Sequence, residues 1–266
     1  MSPPEEDVSP TQTVAPSATA VPGQPLSHEK EFHRPQADKE RFHEPKIRLE
    51  IRDLRHPGAK AFLNALEPVD CFSEAVKNVQ RLLYLKPSCP TTTLPTTRSV
   101  TLILRDMGGV AYTTGSDLDS DHKEIHLSLS YVAKQPTARC CDEITGVLTH
   151  ELVHCYQYDA YSTCPAGLIE GIADWVRLRC NLCPPHWKPS IDGGWDKGYD
   201  GTAYFLEYLE QRFGDGTVRR MNEKLRLQKY HEKQFWVELV GWPVDHLWDA
   251  YCNKVKKGKG WIDPPK

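Results

Sequence analysis

His150-Glu151-Leu152-Val153-His154 sets two imidazoles four residues apart with a carboxylate beside the first. On a helix, positions i and i+4 share a face, so both rings can grip one metal ion at about 2.0–2.1 Å. Glu151 then reaches a water held on the ion rather than the ion itself, and is placed to take its proton. That is the arrangement of a metallopeptidase. The same pentapeptide also occurs in unrelated helices, so the reading depends on a third ligand.

Glu170 is the candidate third ligand. Ser162-Thr163-Cys164-Pro165 interrupts the first helix, and Pro165 favours the first turn of a new one. In that second helix Ile169, Ile172, Ala173 and Val176 form an apolar stripe, with Glu170 and Asp174 four apart on the adjoining face. A reversed helix brings Glu170 to the metal and Asp174 to the far ring nitrogen of a ligating histidine. His150, His154 and Glu170 leave a fourth position for water, as a catalytic zinc requires. The competing reading is an acidic pair favoured by the dipole at a helix N-terminus. A metzincin is excluded, because Cys155-Tyr156-Gln157-Tyr158-Asp159-Ala160-Tyr161 follows where that class needs Gly and a third His.

Peptide hydrolysis also needs a donor where the oxyanion forms, and Tyr or His commonly serves beside zinc. Tyr199, at the start of an amphipathic helix, is the candidate, against a plain packing role; His186, His231 and His246 are its rivals. An extended substrate needs a strand edge to pair with. Ile125 to Tyr131 is the expected rail, with His126 read as a surface residue.

The elements that must position these groups follow from periodicity. Strands are expected over Lys46–Asp53, Ser99–Asp106 and Ile125–Tyr131, where apolar residues alternate or run together. A helix is expected from Cys71 to Leu83, closed by a Pro/Thr-rich loop over 87–97. Downstream the pattern is helical: Glu143–Tyr158, Ala166–Leu178, Tyr199–Phe213, Val218–Lys229 and Val244–Lys256. Strands first and helices after predict an α+β domain, a small mixed sheet on the N-terminal side and a helical C-terminal half.

Composition sets the outer limits. Of the 266 residues, 39% are hydrophobic and 26% charged, with a net charge of −3, which argues against nucleic acid held by bulk charge. No apolar run approaches the roughly 18–20 residues of a membrane helix. Eight of the 21 prolines fall in the first 45 residues, which carry four basic against eight acidic side chains; all seven tryptophans lie at or after Trp175. Residues 1–45 are therefore expected to be a disordered, Pro-rich acidic tail, 46–256 one domain, and 257–266 a short C-terminal tail. Met1 is followed by Ser-Pro-Pro-Glu-Glu-Asp and no apolar core, so a standard secretory signal is not expected and an intracellular, cytoplasmic place is, with secretion by a non-standard route as the alternative. The nine cysteines, with Cys140 and Cys141 adjacent, are expected to be mostly free thiols. Asp117, Asp119 and Asp121 open like a calcium loop, but His122 stands where Gly is needed and Ser128 where a bidentate Glu is needed. Cys180 and Cys183 form one C-x-x-C with no second pair, so no structural zinc is expected there.

Three blocks carry a resemblance: T-H-E-L-V-H-C-Y-Q-Y from Thr149, G-L-I-E-G-I-A-D-W-V-R-L from Gly167, and W-D-K-G-Y-D-G-T-A-Y-F-L from Trp195. In this order they resemble the plant basic secretory protein family, over roughly Lys46 to Val255. The resemblance implies a zincin-like zinc metallopeptidase of the gluzincin type, with His150, His154 and Glu170 on zinc and Glu151 as general base and acid. It implies a peptide or protein substrate. The chain departs from the family's name in not being basic and in that no standard secretory signal is expected. The rival from another class is a binding protein that keeps the fold and the metal without efficient catalysis. A pure binder has no use for Glu151.

Overall fold

The computed structural model describes residues 41–258. The expected acidic tail lies outside the described residues up to residue 40, and the expected C-terminal tail from residue 259.

Four strands form one sheet: β1 Lys46–Ile51, β2 Ser99–Arg105, β3 Ala111–Ser116 and β4 Asp119–Ser128. Their spatial order is β1-β2-β4-β3. β1, β2 and β4 run parallel, and β3 returns antiparallel to β4, so the sheet is mixed. Parallel neighbours need a long crossover. Between β1 and β2 it is built from α1 Pro57–Ala65 and α2 Pro68–Leu83. Both helices start on Pro, whose fixed φ and missing N–H suit the first turn. Sequence periodicity misses α1, because nine residues carry only Ala59 and Phe62 as fully buried apolar anchors.

β3 is the larger omission. Ala-Tyr-Thr-Thr-Gly-Ser shows no apolar alternation, yet it pairs with β4 from Ala111↔Leu127 to Ser116↔Asp119 across a two-residue turn at Asp117-Leu118. The expected rail is thereby corrected: Ile125 to Ser128 lies inside the sheet, between β2 and β3, and the edge beside α4 belongs to β3. Leu129 to Tyr131 is not strand at all. Ser128 caps a short helix, α3 Leu129–Val132, its hydroxyl accepting from the Tyr131 N–H. The calcium-like acids serve this hairpin, Asp119 pairing with Arg98 and Asp121 accepting from Thr96.

The helical half comprises α4 Cys140–Tyr156, α5 Ala166–Arg179, α6 Tyr199–Phe213, α7 Thr217–Leu227, α8 Glu232–Val240 and α9 Val244–Lys256. α4 lies against β3 and β4 on one side and α2 on the other. Leu102, Leu104, Ile125 and Leu127 of the sheet, Phe72, Val76 and Val79 of α2, and Ile144, Leu148 and Leu152 of α4 are all buried in one core. α5 packs on α4 and most extensively on α6. Behind α6 an aromatic cluster closes the helical half, Phe205 meeting Trp236, Trp248 and Tyr251 at centroid distances of 5.4–6.0 Å. α8, absent from the sequence expectation, supplies Phe235 and Trp236 to that cluster. All nine cysteines are unpaired thiols. No helix among the described residues is long and apolar enough to cross a membrane.

Candidate metal centre and its cleft

α4 and α5 meet where their functional side chains face each other. The chain leaves α4 at Tyr156 and turns back through Ala160, Tyr161 and Ser162, three consecutive residues at φ 57–61°. Each such non-glycine residue costs roughly 1–2 kcal/mol. The turn holds because Asp159 accepts from the Ser162 N–H and hydroxyl, and the Cys164 N–H bonds the Asp159 carbonyl. This tight reversal sets α5 running back along α4.

The reversal brings His150, His154 and Glu170 together, one ligand atom of each lying within 4.8 Å of the others. His150 Nε2 is 3.2 Å from His154 Nε2 and 3.1 Å from Glu170 Oε2, while His154 Nε2 is 3.8 Å from Glu170 Oε1. Ligands at about 2.0–2.1 Å in a tetrahedron sit roughly 3.3 Å apart, so this donor set has the chemistry and the spacing for one tetrahedral ion. His150 Nδ1 is 2.7 Å from Asp174 Oδ1, which is almost wholly buried, so the carboxylate expected to orient a ring stands on the His150 side.

The charges follow from this crowding. Burial disfavours a proton on His150, but the bonds to Asp174 and Glu170 outweigh it and raise the imidazole to about 9. Burial and the neighbouring His150 charge push His154 down. Glu170 is held below the ordinary carboxylate range, its bond to His150 outweighing partial burial. Burial raises Glu151, against the pull of His150 and of a hydroxyl bond from Thr113. A carboxylate raised by burial beside a cationic group is the pattern of a general base.

Thr113 is the residue that sequence reasoning missed. Its hydroxyl lies 2.7 Å from Glu151 Oε2 and 3.0 Å from the Glu151 carbonyl, tying edge strand to helix. The two adjacent threonines flanked by Tyr112 and Gly115 were the only signal, and they mark a strand only once β4 is known to pair with them.

Tyr199 stands over the same centre. Its ring is parallel to His150 within 11° at 6.2 Å, and 57% of it is exposed. The Glu170 charge raises its phenol. Gly198, at φ 91°, lets the preceding loop approach closely, its α-carbon side facing Gly167 and Glu170. Tyr199 itself holds φ 49°, a conformation that persists where surroundings impose it. His186, His231 and His246 are not in the cleft; His246 stacks on Trp242 at 4.6 Å. His126 is also corrected: it is 5% exposed, stacked on Tyr112 at 4.5 Å, rather than a surface residue.

These groups line a cleft of about 790 Å³. It is lined by Val110 and the first residues of the edge strand, Ala111 to Thr113, and by Val147, Arg177 and Trp187. Arg177 ties α5 to α4 through Glu143 at 3.1 Å and lies under the Trp187 ring at 5.2 Å.

An α+β domain with a His/His/Glu cluster, a carboxylate beside it and a strand-walled cleft is the frame of a hydrolytic enzyme. The chain belongs to the basic secretory protein family, described as peptidases of plants and bacteria, whose pattern matches residues 44–251. No curated protein and no solved structure matches the chain. Membership makes it a peptidase by family, with peptides or proteins as the substrate class.

Proposed function

We propose that this protein is a zinc-dependent, zincin-like metallopeptidase of the gluzincin type, held by His150, His154 and Glu170. The observation that carries the reading is the 3.1–3.8 Å spacing of those three ligand atoms, with Glu151 one residue from the first ligand. Two imidazoles, one carboxylate and a fourth position open to the cleft suit catalytic zinc. Zinc, when bound there, supplies an acidified water and polarises the scissile carbonyl.

The chain's own groups do the rest. Asp174 fixes the His150 tautomer by accepting from Nδ1. Glu151, raised by burial, takes the proton of the attacking water and returns it to the leaving amine. Thr113 holds that carboxylate in place from the edge strand. Tyr199, exposed and lining the cleft, donates its hydroxyl to the oxygen that gains charge as the carbonyl is attacked. The β3 edge offers backbone groups with which an extended peptide pairs.

Glu151→Gln keeps the ligands and removes the base. It is expected to bind one zinc per chain while losing at least 10²–10⁴-fold in turnover. Chelation is expected to abolish the wild-type activity, and zinc to restore it. Zinc content by mass spectrometry and cleavage of a mixed peptide library measure both; robust cleavage by Glu151→Gln would refute the mechanism.

A further inference from the structure

Arg177 is the one Lys or Arg side chain among the described residues that line the cleft, and it is only 7% exposed. On α5 it stands seven residues after Glu170 and three after Asp174, spacings that put all three side chains on one helical face. A cation so deeply buried needs a seat, and α4 and the chain after α5 supply one. Nε donates to the Leu182 carbonyl at 2.9 Å and Nη2 to Glu143 Oε2 at 3.1 Å. Cζ lies 5.2 Å from the centre of the Trp187 ring. Gly146 of α4 leaves the room: a Cβ there would stand 2.5 Å from Nε and 2.8 Å from Nη2.

The seat does not use up the guanidinium. Its five N–H groups form a planar fork that matches a carboxylate with two parallel bonds. Glu143 gives Arg177 a single oxygen, because Arg139 takes the other, Oε1, at 2.9 Å. Nη1 makes no hydrogen bond among the described residues, and it is not one of the polar atoms sealed from solvent. A staple between two helices has no use for an open edge in a substrate cleft.

We propose that Arg177 is a specificity-determining residue: its open edge binds a carboxylate of the substrate, so the cleft favours peptides that carry one near the bond to be cut. The proposal rests on the peptidase reading of the site. Seven residues of helix rise about 10 Å, which extended peptide covers in about three residues. The carboxylate is therefore placed within about three residues of the scissile bond. An acidic side chain and a free chain end offer the guanidinium the same group, and blocking the chain end tells them apart.

The test uses the full zinc-loaded chain and uncharged parent peptides. One set, blocked at both ends, carries a single glutamate or glutamine at each of four positions on either side of the cut. A second set has no acidic side chain and ends in a free carboxylate or an amide. kcat/KM is compared within each pair. Binding is read apart from cleavage, by fluorescence anisotropy of labelled peptides on Glu151→Gln protein. The expected result is a preference of at least about tenfold for the carboxylate member, the scale of one charge-assisted bond, confined to positions within three residues of the cut. Arg177→Lys keeps the charge and loses the fork, and it is expected to lose most of that preference; thermal melting checks that it folds, and if it does not, the wild-type pairs decide. Brisk cleavage with equal rates within every pair would overturn the subsite and leave the peptidase standing. A preference unchanged in folded Arg177→Lys would overturn it too. A wild-type chain that cuts no peptide would overturn the peptidase, and the anisotropy pairs then judge the subsite alone: equal binding sinks it, and a tenfold difference upholds it.

Discussion

At the scale of single residues the centre is a balance between burial and partners. Thr113 illustrates how much one hydroxyl can hold: it is a neutral donor bonded to the carboxylate of Glu151. A hydrogen bond to a charged group contributes about 1.5–3 kcal/mol. Thr113→Val is therefore expected to lower kcat roughly 10–100-fold with zinc content unchanged, and Thr113→Ser to retain most of the activity. Steady-state kinetics beside zinc analysis separate this from loss of metal. The histidines make a second prediction, for the metal-free protein. His150 is raised from 6.5 to about 9, so its contribution is complete below pH 6.5 and is lost as pH rises through 9. His154 is depressed, so its cost appears as pH falls below 6.5. Chelated protein should thus melt highest near pH 6.5 and decline on the alkaline side by on the order of 3 kcal/mol. Zinc-loaded protein, whose His150 ring would stay neutral with Nε2 on the ion and Nδ1–H on Asp174, should show a flatter alkaline limb in the same thermal scans.

At the scale of elements, the sequence speaks clearly where one helix repeats its pattern and faintly where partners define the element. α4, α5, α6 and α9 are legible because each carries a sustained apolar stripe, and the candidate ligands His150 and His154, like Glu170 and the orienting Asp174, sit at i and i+4 spacings that a helix alone explains. β3 and the rail are not legible. Thr113 and Thr114 become strand only because β4 pairs with them, and β4 itself loses its last residues to the cap at Ser128. Thr113 could not be named from spacing, since it acts across elements that are distant in sequence. Close packing between elements gives a further prediction. A Cβ on Gly167 would stand 1.7 Å from the Asp196 carbonyl oxygen, so the loop before Tyr199 rests directly on the first turn of α5. Gly167→Ala must push that loop aside. It is expected to cost about 1–3 kcal/mol in denaturant melts and to reduce activity through Tyr199 and Glu170.

At the scale of the whole molecule the candidate metal ligands lie on both arms of one strained reversal within a single core. α4 packs on the sheet and α2, and α5 packs most extensively on α6, so an ion held by both would act as a cross-brace. Zinc at 100 times its Kd stabilises by about 2.7 kcal/mol, which for a domain of this size corresponds to roughly 5–10 °C in Tm. Calorimetry before and after chelation measures it, and equal melting curves would deny that the ligands bind the ion together. The distribution of tryptophan has its own consequence. Every indole in the described residues lies from Trp175 onward, while the sheet and α1 to α4 contain none. Intrinsic fluorescence therefore watches only the helical half, and Trp187, which lines the cleft, makes it a reporter of occupancy as well. Unfolding of the sheet is dark to that signal. A fluorescence transition that coincides with far-ultraviolet circular dichroism would mean the two halves melt as one, and a split would mean the optical probe sees half a protein.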